Sequence, residues 1–170
     1  MRRAGGAAAA ASPAEAPSPP ADAEAMLREH HAGREVLLVE DNELNQIVAS
    51  EMLRRAGLTV TLAENGAQAL AHARRQPPAL MLMDVHMPVQ DGLAATREWR
   101  DHERAAGLPR LPVIALTATA FADEREACID AGMDDHVAKP IDVGALYATL
   151  LRWLDASAAA RDQARSATQP

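Results

Sequence analysis

The sequence predicts a doubly wound α/β domain, in which a five-stranded parallel sheet is flanked by five helices. Two observations predict this fold. Short, continuous apolar runs, as in strands buried on both faces, alternate with segments whose apolar residues recur at three- or four-residue spacing. The connections between these segments are short, and strands that alternate with helices in this way form parallel sheets covered on both faces.

The first three elements are a strand, a helix and a second strand. Val36–Val39 is a continuous apolar run that predicts a buried strand. The apolar residues of Glu43–Arg55 fall at helical spacing, and Gly57 supplies the stop. Leu58–Ala63 then alternates between apolar and polar residues, as a strand does.

The middle of the domain repeats this alternation. Gly66–Arg75 has helical spacing and is followed by Pro77–Pro78, which cannot continue a helix. Ala79–Met83 is a second continuous apolar run and predicts a third strand. The segment Val85–Asp91 is predicted to be a loop, and Leu93–Arg104 is predicted to be helical.

The last third of the domain completes the alternation. Val113–Leu116 predicts the fourth strand, and Ala120–Ala131 predicts the fourth helix. Val137–Ala138 is a short fifth strand. Asp142 can cap a fifth helix, in which apolar residues recur every three or four positions as far as Leu154.

The ordered domain is predicted to span residues 34–155. Residues 1–33 are rich in alanine and proline and lack a sustained apolar period, which predicts a disordered linker, although residues 21–31 permit a short helix. Residues 156–170 are alanine-rich and polar, and they are predicted to form a flexible tail.

Composition narrows the classes of function. The net charge is -7, which argues against non-specific nucleic-acid binding and against an anionic membrane surface as a direct partner. The longest apolar runs fall far short of the roughly 20 residues of a membrane helix. The single cysteine, Cys128, rules out an intrachain disulfide and fits a reducing compartment. The sequence therefore predicts a cytoplasmic protein.

Polar residues that carry chemistry follow four of the predicted strands. Glu40 and Asp41 follow the first strand, Asp84 the third, Thr117 the fourth and Lys139 the fifth. In a doubly wound sheet these positions converge at one edge, where such folds bind ligands. Three carboxylates cannot all stay ionised there without compensation, and Mg²⁺, which takes oxygen ligands, is a natural remedy.

This set of residues suits phosphoryl transfer, which needs mainly positioning and charge neutralisation. Asp84 can act as a nucleophile and form an acyl phosphate. Lys139 supplies a point charge for phosphate oxygens, and Thr117 can donate a hydroxyl hydrogen bond to one of them.

Four segments in this order closely resemble the response-regulator receiver domain of two-component systems. They are VLLVEDNELNQ, LMDVHMPVQDG, ALTATA and GMDDHVAKPID, which begin at Val36, Leu82, Ala115 and Gly132. The variant most similar to this chain is the receiver attached to hybrid sensor histidine kinases. The resemblance extends over residues 34–155, and it implies a flavodoxin-like sheet with strand order 2-1-3-4-5.

The resemblance implies a role for each matching residue of the acidic site. Asp84 would be the phosphoacceptor and would become an aspartyl phosphate. Glu40, Asp41 and Asp84 would hold Mg²⁺ together with the backbone carbonyl of His86.

The resemblance also implies a conformational switch. Thr117 and Lys139 would sense the phosphoryl group, and the Lys139-Pro140 peptide bond would be cis. Many receivers have a tyrosine or phenylalanine three residues before the lysine, whereas this chain has His136. A histidine can also move inward or outward, so we expect Thr117 and His136 to form the switch.

The function implied is that of a phosphoacceptor in a phosphorelay, which receives its phosphoryl group from a histidine kinase or a histidine phosphotransfer protein. Phosphorylation would change a protein-binding face, and a homodimer would form through the fourth helix, fifth strand and fifth helix. Apart from self-catalysed transfer and slow autodephosphorylation, no enzymatic turnover is expected.

Two alternatives stay open at this point. One is a phosphate-independent protein-interaction module with a receiver fold. The other is that the chain is a fragment of a hybrid histidine kinase rather than a stand-alone receiver. A phosphatase with an aspartyl-phosphate intermediate would need a cap or substrate pocket, and no insertion supplies one.

Overall fold

The structure of the protein is a computed structural model that describes residues 20–85, 87, 91–118 and 122–168. Five strands lie within these residues: β1 (Glu35–Val39), β2 (Thr59–Ala63), β3 (Leu80–Asp84), β4 (Val113–Thr117) and β5 (Asp135–Ala138). The same residues form six helices: α1 (Pro20–His30), α2 (Glu43–Arg55), α3 (Gly66–Arg75), α4 (Gly92–Ala106), α5 (Ala122–Ala131) and α6 (Val143–Thr168).

The strands form one parallel sheet in the order β2-β1-β3-β4-β5, which confirms the predicted fold class and strand order. β3 and β4 are buried along their whole length, as continuous apolar runs predict. The outer strands β2 and β5 contain partly exposed residues. Because all strands are parallel, their carboxyl ends meet at one edge, which we call the carboxyl edge.

Two apolar layers cover the sheet. Side chains alternate along a strand, so β1 directs Val36 and Leu38 to one face and Leu37 and Val39 to the other. Helices α1, α2 and α6 cover the first face, and α3, α4 and α5 cover the second. Burial on both faces fixes the strand positions, and the strand ends therefore have defined places at the carboxyl edge.

Four helices begin at the carboxyl edge with side-chain caps. The side chains of Asn42, Asn65, Asp91 and Asp142 each accept a hydrogen bond from the backbone N–H three residues later. These caps begin α2, α3, α4 and α6 after the segments that follow β1, β2, β3 and β5, and the cap predicted for Asp142 is confirmed. Each cap holds the start of its helix at this edge.

Helix α1 forms where the sequence permits a short helix, at residues 21–31, and it corrects the prediction of disorder for that part of residues 1–33. Pro20–His30 is helical, and Ala23 and Leu27 are fully buried in the layer that also contains α2 and α6. His31 pairs with Asp155 of α6, with 2.7 Å between Nε2 and Oδ1. Two apolar residues four positions apart are too few to give a visible period, although they suffice to seat one short helix. Residues 1–19 lie outside the described residues.

Helix α6 corrects the prediction of a flexible tail for residues 156–168, and residues 169–170 lie outside the described residues. It continues without a break from Val143 to Thr168. The physical reason is that alanine has the highest helix propensity, and neither glycine nor proline interrupts residues 156–168. The predicted fifth helix is therefore the first half of a longer one, and the flanking helices number six in the part of the chain described rather than five.

The remaining differences are small shifts of element ends. Asp84 is the last residue of β3 rather than the first residue after it, and β5 begins at Asp135. Helix α5 begins at Ala122, and the predicted start at Ala120 lies outside the described residues. Among the helices of the described segments, none combines the length and apolar character needed to cross a membrane.

Candidate functional site

The structure brings together the polar residues that the sequence places at the strand ends. Lys139, which follows β5, lies with its Nζ 2.8 Å from Oε2 of Glu40 and 3.2 Å from Oδ2 of Asp84. Glu40 follows β1 and Asp84 ends β3, so one ammonium group joins three strands. The predicted convergence at the carboxyl edge is therefore seen for these residues.

Three carboxylates form an acidic cluster at this edge. One oxygen from each of Glu40, Asp41 and Asp84 lies within 4.8 Å of the other two. Glu40 and Asp84 are buried, whereas Asp41 is exposed. An all-oxygen set that is partly open to water suits Mg²⁺, which binds one or two carboxylates and keeps several water ligands. The residues present therefore fit the predicted ion.

Lys139 stays protonated in this setting. Burial alone would lower the pKa of Lys139, but its hydrogen bond to Glu40 and the charge of Asp84 outweigh that effect and raise the pKa above its ordinary value of 10.5. The ammonium thus offsets part of the negative charge of the cluster. The Lys139-Pro140 peptide bond is cis, as the resemblance implies.

Thr117 ends β4 beside the cluster and is buried. Its hydroxyl group has no hydrogen-bond partner among the described residues. Its carbonyl oxygen accepts a hydrogen bond from the backbone N–H of Lys139 at 2.7 Å, so the two residues are linked through the main chain. A buried hydroxyl without a partner is costly, and this one can donate a hydrogen bond to a group that enters the site.

The described ends of the segment between β3 and α4, Val85 and Gly92, lie close together and close to Asp84. The Val85 N–H donates to the Leu116 carbonyl at 3.2 Å, and the Gly92 N–H donates to the Val85 carbonyl at 3.0 Å. A Cβ atom at Gly92 would collide with the Asp84 carbonyl oxygen and crowd the Met83 side chain. Only glycine fits there, a requirement that sequence reasoning missed, because its one sign is an Asp91-Gly92 pair at the end of a predicted loop.

His136 lies on β5 and is half-buried. It pairs across the sheet with Ala115, two residues before Thr117, so His136 and Thr117 belong to the same face of the sheet. Its Nδ1 lies 3.8 Å from Oδ1 of Asp135. This placement is compatible with a coupled switch, which stays a prediction. His86, whose carbonyl was expected to bind Mg²⁺, lies outside the described residues.

Comparison with known proteins identifies relatives of one kind. Residues 36–151 match the family model of the response regulator receiver domain. The chain is 38% identical over 117 residues to hybrid signal transduction histidine kinase M of Dictyostelium discoideum, covering 68% of this chain and 5% of that protein. It is 38% identical over 118 residues to the sensor histidine kinase GacS of Pseudomonas protegens, covering 69% and 13% respectively. The chain spans 5% of the length of histidine kinase M and 21% of that of two-component system protein A of Emericella nidulans, to which it is 39% identical over 146 residues.

Solved structures of receiver domains are also similar. The receiver domain of the sensor histidine kinase PA1611 from Pseudomonas aeruginosa, with a magnesium ion in its active site cleft, is 48% identical with a TM-score of 0.67. The match covers 73% of this chain and 99% of that one. The Saccharomyces cerevisiae receiver domain of Ssk1, in complex with the histidine phosphotransfer protein Ypd1, gives 29% identity and a TM-score of 0.69, covering 72% and 89%.

The sequence match, the strand order and the carboxyl-edge residues agree with one another. The family model spans all five strands except the first residue of β1, together with α2, α3, α4, α5 and part of α6. This chain belongs to the response regulator receiver domain family of two-component systems.

Proposed function

We propose that this receiver domain takes a phosphoryl group from a phosphohistidine onto Asp84 and passes the change to a protein-binding face. The observation that carries the proposal is the combination at Asp84. Its carboxylate lies 3.2 Å from the Lys139 ammonium, within an acidic cluster suited to Mg²⁺ and beside a buried hydroxyl group of Thr117 that lacks a partner among the described residues. Each group meets one requirement of phosphoryl transfer.

Transfer to Asp84 is a displacement at phosphorus. An oxygen of the Asp84 carboxylate forms a bond to phosphorus, the bond from phosphorus to the donor imidazole nitrogen breaks, and the imidazole leaves with the bonding electron pair. Glu40, Asp41 and Asp84 would hold Mg²⁺, which supplies positive charge against the phosphoryl oxygens when bound. Lys139 adds a second positive charge from the side of β5.

The resulting acyl phosphate would be read by Thr117 and Lys139. The Thr117 hydroxyl would donate to a phosphoryl oxygen and gain the hydrogen bond it lacks within the described residues. Because the Lys139 N–H is bonded to the Thr117 carbonyl, a displacement of the end of β4 would also displace the residues at the end of β5. We include His136 in this switch, and we include the carbonyl of His86 among the Mg²⁺ ligands.

The partner we propose is a histidine kinase or a histidine phosphotransfer protein that docks beside Asp41. Helix α2 begins there and leaves Leu44 and Ile47 67% and 61% exposed, next to Val48 and to Leu62 of β2. Exposed apolar residues grouped on a helix mark an interaction surface. A homodimer through α5, β5 and α6 is a second interface that we propose, and Ile129 of α5 is 68% exposed on that side.

Several finer statements belong to the same proposal. Residues 34–155 form the receiver unit, and α1 and the end of α6 are additions to it. The chain acts in the cytoplasm and performs no turnover chemistry beyond its own phosphorylation and slow dephosphorylation. Whether it acts alone or as one part of a hybrid kinase does not alter these roles. A phosphate-independent interaction module is the alternative that the next experiment distinguishes.

The test is intact-protein mass spectrometry after incubation with acetyl phosphate, with and without Mg²⁺. We expect a Mg²⁺-dependent phosphoryl adduct on the wild type and none on Asp84→Asn, because an amide cannot form the acyl phosphate. Asp91→Asn is the matched control in the same loop, where asparagine caps α4 as well as aspartate does, so the adduct should persist. A well-folded wild type without an adduct would favour the phosphate-independent module.

A further inference from the structure

Glu40 is held by hydrogen bonds on its main chain as well as its side chain. Its N–H donates to the Ala63 carbonyl of β2 at 3.0 Å. Its Oε1 accepts from the backbone N–H of Asn42 at 3.1 Å. Its carbonyl oxygen accepts from Nε2 of Gln46 at 2.6 Å. Lys139 also bonds the Glu40 side chain, with 2.8 Å between Nζ and Oε2. Of the two contacts to the Glu40 main chain, only the one from Gln46 is donated by a side chain, so a substitution can remove it without removing a charge from the site.

The Gln46 contact controls the peptide unit between two proposed Mg²⁺ ligands. The Glu40 carbonyl belongs to the peptide that joins Glu40 to Asp41, and this unit is planar. Holding its oxygen therefore restrains ψ of Glu40 and φ of Asp41, and with them the orientation of the Cα–Cβ bonds that lead to the two carboxylates. Because a carbonyl oxygen only accepts, the amide nitrogen of Gln46 must face it.

Gln46 lies in the first turn of α2, which is itself anchored. The Gln46 N–H donates to the Asn42 carbonyl at 3.0 Å, and the Asn42 side chain caps the helix by accepting from the Asn45 N–H. The donor thus rests on a fixed helical turn, while Glu40 lies at the end of a buried strand. Gln46 ties these two rigid elements together across the loop that bears both carboxylates.

We infer that Gln46 is a positioning residue for the Mg²⁺ site and sets the affinity for the ion through the Glu40-Asp41 peptide. The inference rests on the proposed function, because that proposal supplies the ion. Residues that orient metal ligands from behind typically change metal affinity by about 10-fold to 100-fold when mutated. Gln46 does not need to touch the ion for this effect.

The test is calorimetric titration of the full chain with MgCl₂ and no phosphodonor. We expect Gln46→Met, which keeps the length of the side chain and removes its donor, to raise the Mg²⁺ dissociation constant by about 10-fold. The matched control is Gln68→Met on α3, whose side-chain oxygen accepts a hydrogen bond from the Glu64 N–H at 2.9 Å. Neither this hydrogen bond nor the one that the Gln68 N–H donates to the Asn65 side chain involves a carboxylate of the acidic cluster. Its dissociation constant should equal that of the wild type.

A second readout needs no ion. In metal-free protein, amide hydrogen exchange over residues 40–46 should quicken in Gln46→Met, with the rest of the sheet unchanged. Gln46→Glu is nearly isosteric and serves if the methionine variant does not fold. Its added negative charge alone would tighten Mg²⁺ binding, whereas loss of the donor should weaken it.

The outcomes separate this inference from the proposed function. Wild-type affinity in folded Gln46→Met, or binding by Gln46→Glu that is tighter than wild type, overturns the positioning role and leaves the proposed function standing. A wild type that accepts phosphate but binds no Mg²⁺ would contradict the Mg²⁺ site, on which both the positioning role of Gln46 and the proposed function depend. Weaker binding with the local change in exchange supports the inference.

Discussion

Two clusters of buried charge lie at opposite ends of the sheet, and they are built differently. At the amino ends of β4 and β5, Arg100 donates to both oxygens of Glu103, to Asp134 and to the Gly132 carbonyl, at 2.8–3.0 Å. Glu103 also accepts from the Trp99 indole and from the Leu111 N–H. This amino-end network satisfies the charged groups it contains within the fold.

The cluster at the carboxyl edge is built from fewer opposite charges. Of its three carboxylates, Glu40 and Asp84 contact the ammonium of Lys139 and Asp41 is exposed, and a Thr117 hydroxyl beside them has no partner among the described residues. Both clusters are polar and largely buried, so burial alone does not distinguish structure from function. The difference lies in whether the fold itself supplies the partners.

The largest effect should come from breaking the amino-end network. Glu103→Ala would leave Arg100 with its charge only partly compensated, so we expect the free energy of unfolding to fall by about 3–5 kcal/mol. Urea denaturation followed by circular dichroism measures it. Glu98→Ala, on the same helix but in a solvent-exposed pair with Arg74, should cost less than about 1 kcal/mol. Equal losses in the two variants would show that the network is not a stabilising unit.

A smaller effect of opposite sign is expected at the carboxyl edge. Thr117→Val keeps the shape of the side chain and removes the buried hydroxyl that has no partner in the described structure. We expect it to raise the free energy of unfolding by about 1 kcal/mol in Mg²⁺-free buffer, because an unsatisfied polar group is lost. A destabilised variant in the same denaturation experiment would indicate that the hydroxyl already has a role in the fold.

The smallest effect concerns pH, and the chain offers a clean case because Lys139 is its only lysine. Its pKa is raised in the folded state, so the stability contributed by its ion pairs is fully present below pH 10.5 and is lost as the pH rises through the folded pKa. The stability difference between wild type and Lys139→Met should therefore be constant from neutral pH to about pH 10 and then shrink. A stability difference that disappears near pH 8 would contradict a raised pKa for Lys139 in the folded protein.

Much of the fold and the candidate site could be predicted because both depend on local patterns. Continuous apolar runs locate buried strands, and parallel topology alone sends the residues after them to one edge. Glu40, Asp84 and Lys139 were found in this way, and the structure places them within hydrogen-bonding distance. Four motifs in order then identified the family without any knowledge of contacts.

What could not be predicted depends on contacts between distant parts of the chain. Arg100 and Asp134 are separated by 34 residues, and nothing in the periodicity of either segment points to the other. The need for glycine at Gly92 arises from the approach of the Asp84 carbonyl, which only the folded loop reveals. In the sequence Gln46 is an ordinary polar residue of a predicted helix, and only the folded structure brings its amide to the Glu40 carbonyl.

Helix α1 lies before the stretch that matches the family, yet it fills a groove lined by α2 and α6. Ala23 and Leu27 have no exposed surface there, and Arg28 donates to the last carbonyl of α2, that of Arg55, at 2.6 Å. A recombinant product trimmed to the family boundary would uncover a strip of aliphatic surface along both remaining helices. Poor solubility of such a trimmed domain would result from the loss of α1. A protein expressed from residue 20 onward keeps α1, so we expect it to be more soluble.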